Sequence, residues 1–360
     1  MNPARNRGVI WVTLVAMCLL LGATPVLAVD VDDVVDLVSQ TQYQTYQVKV
    51  QDMGLGLYGG TAYNQGYRNR DGWKGDGTLG NQEARLYLTN QFTNMGLTVS
   101  IQGDYKNVVA ELRGTVTPNT IYIVGGHYDH VGGILHTGSF PGGDDNASGT
   151  AGVLEAARVL SQYQFKSTIR FIGFNAEEDG LLGSSDYVSH LGSGELIAGM
   201  INLDMILRPG WDSDPDHVKD LNIASHSSSA WVSTFVSAAG TYAPSLPISS
   251  DIEDLEGGSD QWPFEDAGIP ALLAIENSAG EIWAYPSSNA YYHTGNDASD
   301  RLANDPNNPT HVTYDYVFAS DVVRATVGTL AEQAMLTPEP ATMALLVLGG
   351  IGVLARRRRK

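Results

Sequence analysis

The chain has 360 residues, with 21 Lys and Arg against 40 Asp and Glu, a formal net charge of −19. A surface of that sign repels phosphate backbones, which excludes nucleic acid as a partner, and it attracts cations. The single cysteine, Cys18, falls in an N-terminal apolar run.

Residues 1–28 read as a secretory signal peptide. Arg5 and Arg7 give a positive start, Val9 to Leu21 is nearly unbroken apolar sequence, and Val26-Leu27-Ala28 supplies a small-residue cleavage pattern. The run is shorter than the roughly 20 apolar residues of a spanning helix. A cut after Ala28 removes the only cysteine, and with it any disulfide or thiolate metal ligand. Residues 1–28 and 337–360 hold 7 of the basic and 1 of the acidic residues, leaving 14 against 39, a formal −25, on residues 29–336. That length suits one large α/β domain with a well-buried core. It divides into an N-terminal helical and loop part, 29–105, and a core, 106–336.

Val31 to Ser39 reads as a helix leading into a Gln/Tyr-rich stretch, Gln40 to Gln47. Gly54 to Gly80 is rich in Gly, Asn, Asp and Tyr and reads as loop. Asn81 to Met95 has helical spacing and stops at Gly96. Short apolar runs then alternate with helical segments. Strands are predicted over Asn107–Leu112, Thr120–Val124, Ile169–Phe174, Ile201–Ile206 and Ala271–Ile275, and a helix over Ala147–Tyr163. This alternation predicts an α/β three-layer sandwich, with a central mostly parallel (mixed) sheet flanked by helices. In such sheets ligands gather at the carboxyl ends of the strands.

The strand ends carry the chemistry. In Gly126-His127-Tyr128-Asp129, the imidazole of His127 can hold a metal while Asp129 takes its other N–H and fixes the ring. Alone that motif is weak, because a His near a strand end is more often structural. Gly142-Gly143-Asp144-Asp145-Asn146-Ala147-Ser148-Gly149 crowds two carboxylates unless a cation lies between them. Its glycines allow close backbone approach, either Asn146 or Ser148 can cap the following helix, and the two oxygens of Asp145 could bridge two ions. The plain alternative is an Asp/Asn/Gly turn. Glu177-Glu178 directly follows a strand, where neighbouring side chains point opposite ways. One can therefore bind metal and the other act as general base; the alternative is a solvated acidic loop. Asp204 sits in the apolar run Ile201–Ile206, where an unpartnered carboxylate is costly. His293, in Tyr292-His293-Thr294, gains interest only as a fifth ligand.

Taken in order, His-x-Asp, Asp-Asp-Asn-x-Ser-Gly, Asn-Ala-Glu-Glu-x-Gly-Leu-x-Gly-Ser, Leu-Asp-Met, Ser-Asp and His-Thr-x-x-Asp resemble the aminopeptidase Y and bacterial leucyl aminopeptidase family, clan MH metallopeptidases with two zinc ions per chain. The resemblance spans Asn107 to Asp297. It implies an aminopeptidase acting on peptides or proteins with a free N-terminus, and a phosphorylase/aminopeptidase-like fold. One zinc would be held by His127 and Asp204, the other by Glu178 and His293, with Asp145 between them. Glu177 would be the general base and Asp129 would orient His127. Ser259-Asp260 matches the family's Ser-Asp segment near the substrate, and Asp297 the Asp that follows and supports the last His. This sequence departs from the pattern at Gln261, often His in the family. It departs again at Glu253–Gly258, where some secreted members carry a cysteine pair.

Within the same fold, carboxypeptidases and glutaminyl cyclases are the alternatives. The former use basic pocket residues, which are scarce in 29–336; the latter bind one zinc, whereas all five ligand positions and Glu177 are present. A non-enzymatic surface or matrix protein would be expected to have lost one of them.

At the far end, Thr337-Pro338-Glu339-Pro340 leads into apolar Ala341–Ala355 and then Arg356-Arg357-Arg358-Arg359-Lys360. This is a short membrane segment stopped by positive charge, and it resembles the PEP-CTERM tail. The resemblance implies a sorting enzyme as partner, membrane contact through the tail alone, and a cell-surface or extracellular destination.

Overall fold

The computed structural model describes residues 29–53, 70–72, 77–131, 139–209, 219–226, 228–253, 258–276, 291–299 and 314–337. Val31–Leu336 form one compact unit. The predicted signal peptide and the apolar and basic parts of the tail lie outside the described residues. Among the described residues no helix is long and apolar enough to cross a membrane.

Among the described residues three helices come first: α1 (Val31–Val35), α2 (Gln40–Gln51) and α3 (Leu79–Asn94). The Gln/Tyr-rich stretch is thus a helix. Ser39 caps it through the Gln42 N–H, and it buries Tyr43, Tyr46, Gln47, Val50 and Gln51. Eight strands follow: β1 (Thr98–Gln102), β2 (Asn107–Leu112), β3 (Thr117–His127), β4 (Ser167–Phe174), β5 (Leu196–Leu203), β6 (Leu221–Ala224), β7 (Ile248–Glu253) and β8 (Ala271–Ile275). They form one sheet in the order β1-β2-β4-β3-β5-β8-β6-β7. The β4, β3, β5 and β8 neighbours pair in parallel. The pairings of β1 with β2, β2 with β4 and β6 with β8 are antiparallel.

Helices cover both faces. Tyr187 of α5 (Leu182–Ser189) and Phe264 of α7 (Trp262–Asp266) pack with Ile123, Ile172, Phe174 and Met200 on one face. Tyr122 points the other way by strand alternation, and there Trp231 of α6 (Ser229–Tyr242) stacks on it with ring centroids 6.0 Å apart. Helices α4 (Ala147–Leu160) and α8 (Tyr316–Gln333) complete the layers; α8 packs on both α4 and α6. The alternating pattern therefore gives the expected three-layer α/β sandwich around a mixed sheet.

In-register pairing aligns the carboxyl ends of the parallel strands. His127 lies opposite Phe174, Gly125 opposite Asn202, and Leu203 opposite Ala274. The residues that follow these ends, Asn175–Glu178 and Asp204, therefore emerge at the same edge as His127. Strand β5 stops at Leu203, so Asp204 sits one residue beyond it rather than inside it. Its N–H still donates to the Ala274 carbonyl at 3.2 Å.

Candidate metal centre

Helix α4 begins at this edge. Asn146 is its N-cap, accepting from the Gly149 N–H at 2.8 Å and donating to the Leu203 carbonyl at 2.9 Å. Ser148 does not cap; its hydroxyl turns back to the Asp144 carbonyl at 2.6 Å. A Cβ at Gly149 would run into the Leu203 carbonyl oxygen. Glycine at this position is what lets α4 lie against the end of β5, bringing Asp145 to His127. The Asp145–Asn146 peptide bond is cis.

The predicted residues converge. His127 Nε2 lies 3.4 Å from Asp145 Oδ1, 3.4 Å from Asp204 Oδ1 and 3.9 Å from Glu177 Oε2. His293 Nε2 lies 3.1 Å from Asp145 Oδ2 and 3.0 Å from Glu178 Oε2. The two oxygens of Asp145 thus face different histidines. Asp129, fully buried, places Oδ1 3.5 Å from His127 Nδ1. It also accepts from the Glu177 and Glu178 N–H groups at 3.2 and 3.3 Å. Its reach is therefore wider than the ring of His127 alone: it fastens the Glu177-Glu178 turn to the end of β3.

That turn is not extended. Ala176 is left-handed at φ 57°, and the Gly180 N–H closes back on the Glu177 carbonyl. The turn, rather than strand pleating, sends Glu177 towards His127 and Glu178 towards His293. Met205 (φ 51°) and His293 (φ 55°) are left-handed as well. For side chains with a Cβ this conformation costs roughly 1–2 kcal/mol each, and such costs concentrate at functional sites.

Ser259 donates to Asp204 Oδ2 at 2.7 Å and accepts from Asn202 Nδ2 at 2.8 Å, so it positions Asp204. Asp297 does not reach for His293. Its carboxylate accepts from the Asp144 and Asp145 N–H groups at 3.1 Å and from the Tyr314 hydroxyl at 2.6 Å. It organises the Asp145 loop instead. Asp260 and Gln261 are fully buried beside Ser259.

Sequence reasoning passed over His130. It is fully buried, and its Nδ1 lies 3.3 Å from Glu178 Oε1 while Glu178 Oε2 faces His293. The run His127-Tyr128-Asp129-His130 contained the signal, two histidines flanking a carboxylate at a strand end.

Electrostatically the cluster calls for a cation. Burial pushes the His127 imidazole down, but Asp204, Glu177, Asp129 and Asp145 outweigh it and hold the ring protonated well above its usual range. The same contest at His293, between burial and the Glu178 and Asp145 carboxylates, ends at about 11. Burial, with Glu178, Asp260 and Asp204 nearby, raises Glu177 well above a normal carboxyl despite His127. Nε2 of His127, Nε2 of His293, Oδ1 of Asp204 and Oε1 of Glu178 are buried with no hydrogen bond among the described residues. Orphaned lone-pair donors that converge in this way fit a metal site. Among the described residues, two groups have ligand atoms close enough to hold an ion, His127 with Glu177 and Asp204, and His127 with Asp145 and Glu178.

Comparison with known proteins agrees with this architecture. The fold resembles the LapA aminopeptidase of Legionella pneumophila, with a TM-score of 0.64 at 19% identity over 84% of this chain and 73% of that one. It also resembles the glutaminyl cyclase of Porphyromonas gingivalis, with a TM-score of 0.61 at 20% identity over 82% of this chain and 99% of that one. At these identities the likeness is one of fold. Residues 107–314 match Peptidase family M28, and the chain belongs to that family. Residues 336–360 match the PEP-CTERM protein-sorting motif. Aminopeptidase YwaD of Bacillus subtilis is 36% identical over 192 residues, 52% of this chain and 37% of that protein. The matches span between 22% and 53% of the length of the curated relatives.

Proposed function

We propose that this chain is an exported aminopeptidase that binds two zinc ions and hydrolyses the first peptide bond of substrates with a free N-terminus. The observation that carries the reading is Asp145, whose two oxygens lie against His127 on one side and His293 on the other. His127 and Asp204 would hold one ion, His293 and Glu178 the other, and Asp145 both. When bound, zinc supplies Lewis acidity that polarises a carbonyl and acidifies water.

The chain's own residues do the rest. Glu177, with its pKa raised by burial among neighbouring carboxylates, takes a proton from the attacking water and returns it to the leaving amine. Asp129 fixes the ring of His127 and the turn bearing Glu177, so base and ligand keep their spacing. The carboxylates around the cluster favour a substrate ammonium over a carboxylate, which supports N-terminal over C-terminal trimming. In the same reading, residues 1–28 direct export, 29–336 form the peptidase domain, and 337–360 hand the chain to a sorting enzyme at the envelope or surface.

The experiment is hydrolysis of a panel of aminoacyl-p-nitroanilides, free and N-acetylated, with chelator and with zinc restored. Release from free-amine substrates alone, lost in chelator and recovered with zinc, is expected. A zinc-loaded protein that releases nothing, or that cyclises N-terminal glutamine instead, would refute the reading.

A further inference from the structure

We propose that Arg70 is a positioning residue that holds three site-bearing segments at fixed spacing; the inference rests on the metal-binding reading above. Its side chain is fully buried, and among the described residues each of its hydrogen bonds runs to a main-chain carbonyl. Nε donates to Tyr128 at 2.9 Å, between His127 and Asp129. Nη1 donates to Pro141 at 2.5 Å and to Val50 at 3.1 Å, and Nη2 to Gly142 at 3.0 Å. One guanidinium therefore joins the end of β3, which carries His127, to the loop that carries Asp145, and ties both to the end of α2.

The main chain of the same strip reaches the third segment. Asn81 Nδ2 donates to the Arg70 carbonyl at 2.8 Å and to Asn175 Oδ1 at 2.7 Å. A Cβ on Gly72 would lie 2.7 Å from Asn175 Oδ1 and 2.9 Å from the Ala176 nitrogen. Residues 70–72 are thus pressed against the segment that leads directly to Glu177 and Glu178. At Gly142, left-handed at φ 53°, an added Cβ would lie 2.9 Å from Arg70 Nη2. Glycine there lets the loop close on the guanidinium.

The residue type matters. A guanidinium presents five N–H groups in a rigid planar fork, so it can serve carbonyls from separate segments at once; a lysine ammonium is a single point with three donors. Burial lowers Arg70 to about 10, and the nearby Asp297, Asp129, Asp145 and Glu178 carboxylates act against that loss. It stays charged at neutral pH. Arg70 makes no hydrogen bond or ion pair with the predicted ligand side chains among the described residues, so it acts through the backbone that carries them.

The test compares full-chain wild type with Arg70→Lys and Gly72→Ala. Zinc per chain and zinc affinity are read by competition with a chromophoric chelator, and kcat and KM on an aminoacyl-p-nitroanilide. Arg70→Lys, with unchanged near-UV circular dichroism, should lose about ten- to a hundredfold in zinc affinity. Its kcat should fall at limiting zinc and recover with excess zinc, while KM moves little, a pattern that mere loss of fold stability does not give. A folded Arg70→Lys with wild-type zinc affinity and kcat overturns the proposal. If that variant fails to fold, Gly72→Ala, which keeps Arg70 but pushes the strip off Asn175, carries the test: weakened zinc binding supports the proposal and wild-type affinity overturns it. Wild type that binds no zinc would instead bring down the functional reading, and this inference with it.

Discussion

Asp297 offers the sharpest test of how the Asp145 loop is held. It is 3% exposed, and its two oxygens accept from the Asp144 N–H, the Asp145 N–H and the Tyr314 hydroxyl. Asp297→Asn keeps the shape but leaves one acceptor oxygen for three donors. With that oxygen kept by Tyr314 and Asp144, the new amide NH2 faces the Asp145 N–H, donor against donor. Each stranded buried donor costs about 1–3 kcal/mol. Burial raises the Asp297 pKa, so removing its charge returns part of this, and a net loss of about 2–4 kcal/mol is expected. Tyr314→Phe removes one donor and leaves the carboxylate its two N–H partners, so it should cost only about 1 kcal/mol. The assay is urea unfolding of the metal-free full chain in chelator, with equal m-values required before midpoints are compared. A change below about 0.5 kcal/mol for Asp297→Asn, within the range of ordinary surface substitutions, would refute the role assigned to this residue.

Ser259→Ala removes the hydroxyl on Asp204 Oδ2; zinc affinity should fall about tenfold or more, and titration against a chelator checks it. Gly149→Ala drives a Cβ into the Leu203 carbonyl and towards Asn146 Oδ1; overpacking of about 1–3 kcal/mol is expected, read by the same urea series. His293 is held protonated to about 11 against an ordinary value of 6.5. A raised folded-state pKa means that its contribution is complete below about pH 6.5 and is lost as pH climbs towards 11. Metal-free protein should therefore weaken over that window. Zinc requires the unprotonated ring, so calorimetry at pH 7 in buffers of different ionisation enthalpy should show proton release on zinc binding. Zinc uptake without proton release would contradict this account of the cluster.

Much of the fold was legible because the inner strands are short, largely apolar runs bounded by turn residues. Asn107–Leu112 and Ala271–Ile275 are strands over the residues that the sequence suggested. Strand β1 was not legible: it is a largely exposed edge strand with no buried face to give a period. Helix α2 buries Gln47 and Gln51, which carry no apolar stripe. Helix α8 is buried nearly all round and is rich in Ala, Ser and Thr, so it shows no amphipathic face either. At the site, motif order led to the residues that the structure brings together. It did not reveal what fastens them. Arg70 comes from a stretch that reads as loop, and its partners are carbonyls, which leave no mark in a sequence. The family resemblance assigned Asp297 to His293, whereas its hydrogen bonds run to a loop some 150 residues away.

In the proposed function Asp145 is shared by two zinc ions, and Glu177 serves as base rather than ligand. Anomalous diffraction at the zinc edge from crystals of wild type and Glu177→Gln tests it most directly, with hydrolysis measured on the same preparations. Two peaks are expected in both proteins, one beside His127 and Asp204 and one beside His293 and Glu178, with hydrolysis lost in Glu177→Gln. A single peak in wild type, or loss in Glu177→Gln of the peak beside His127 and Asp204, would contradict the account.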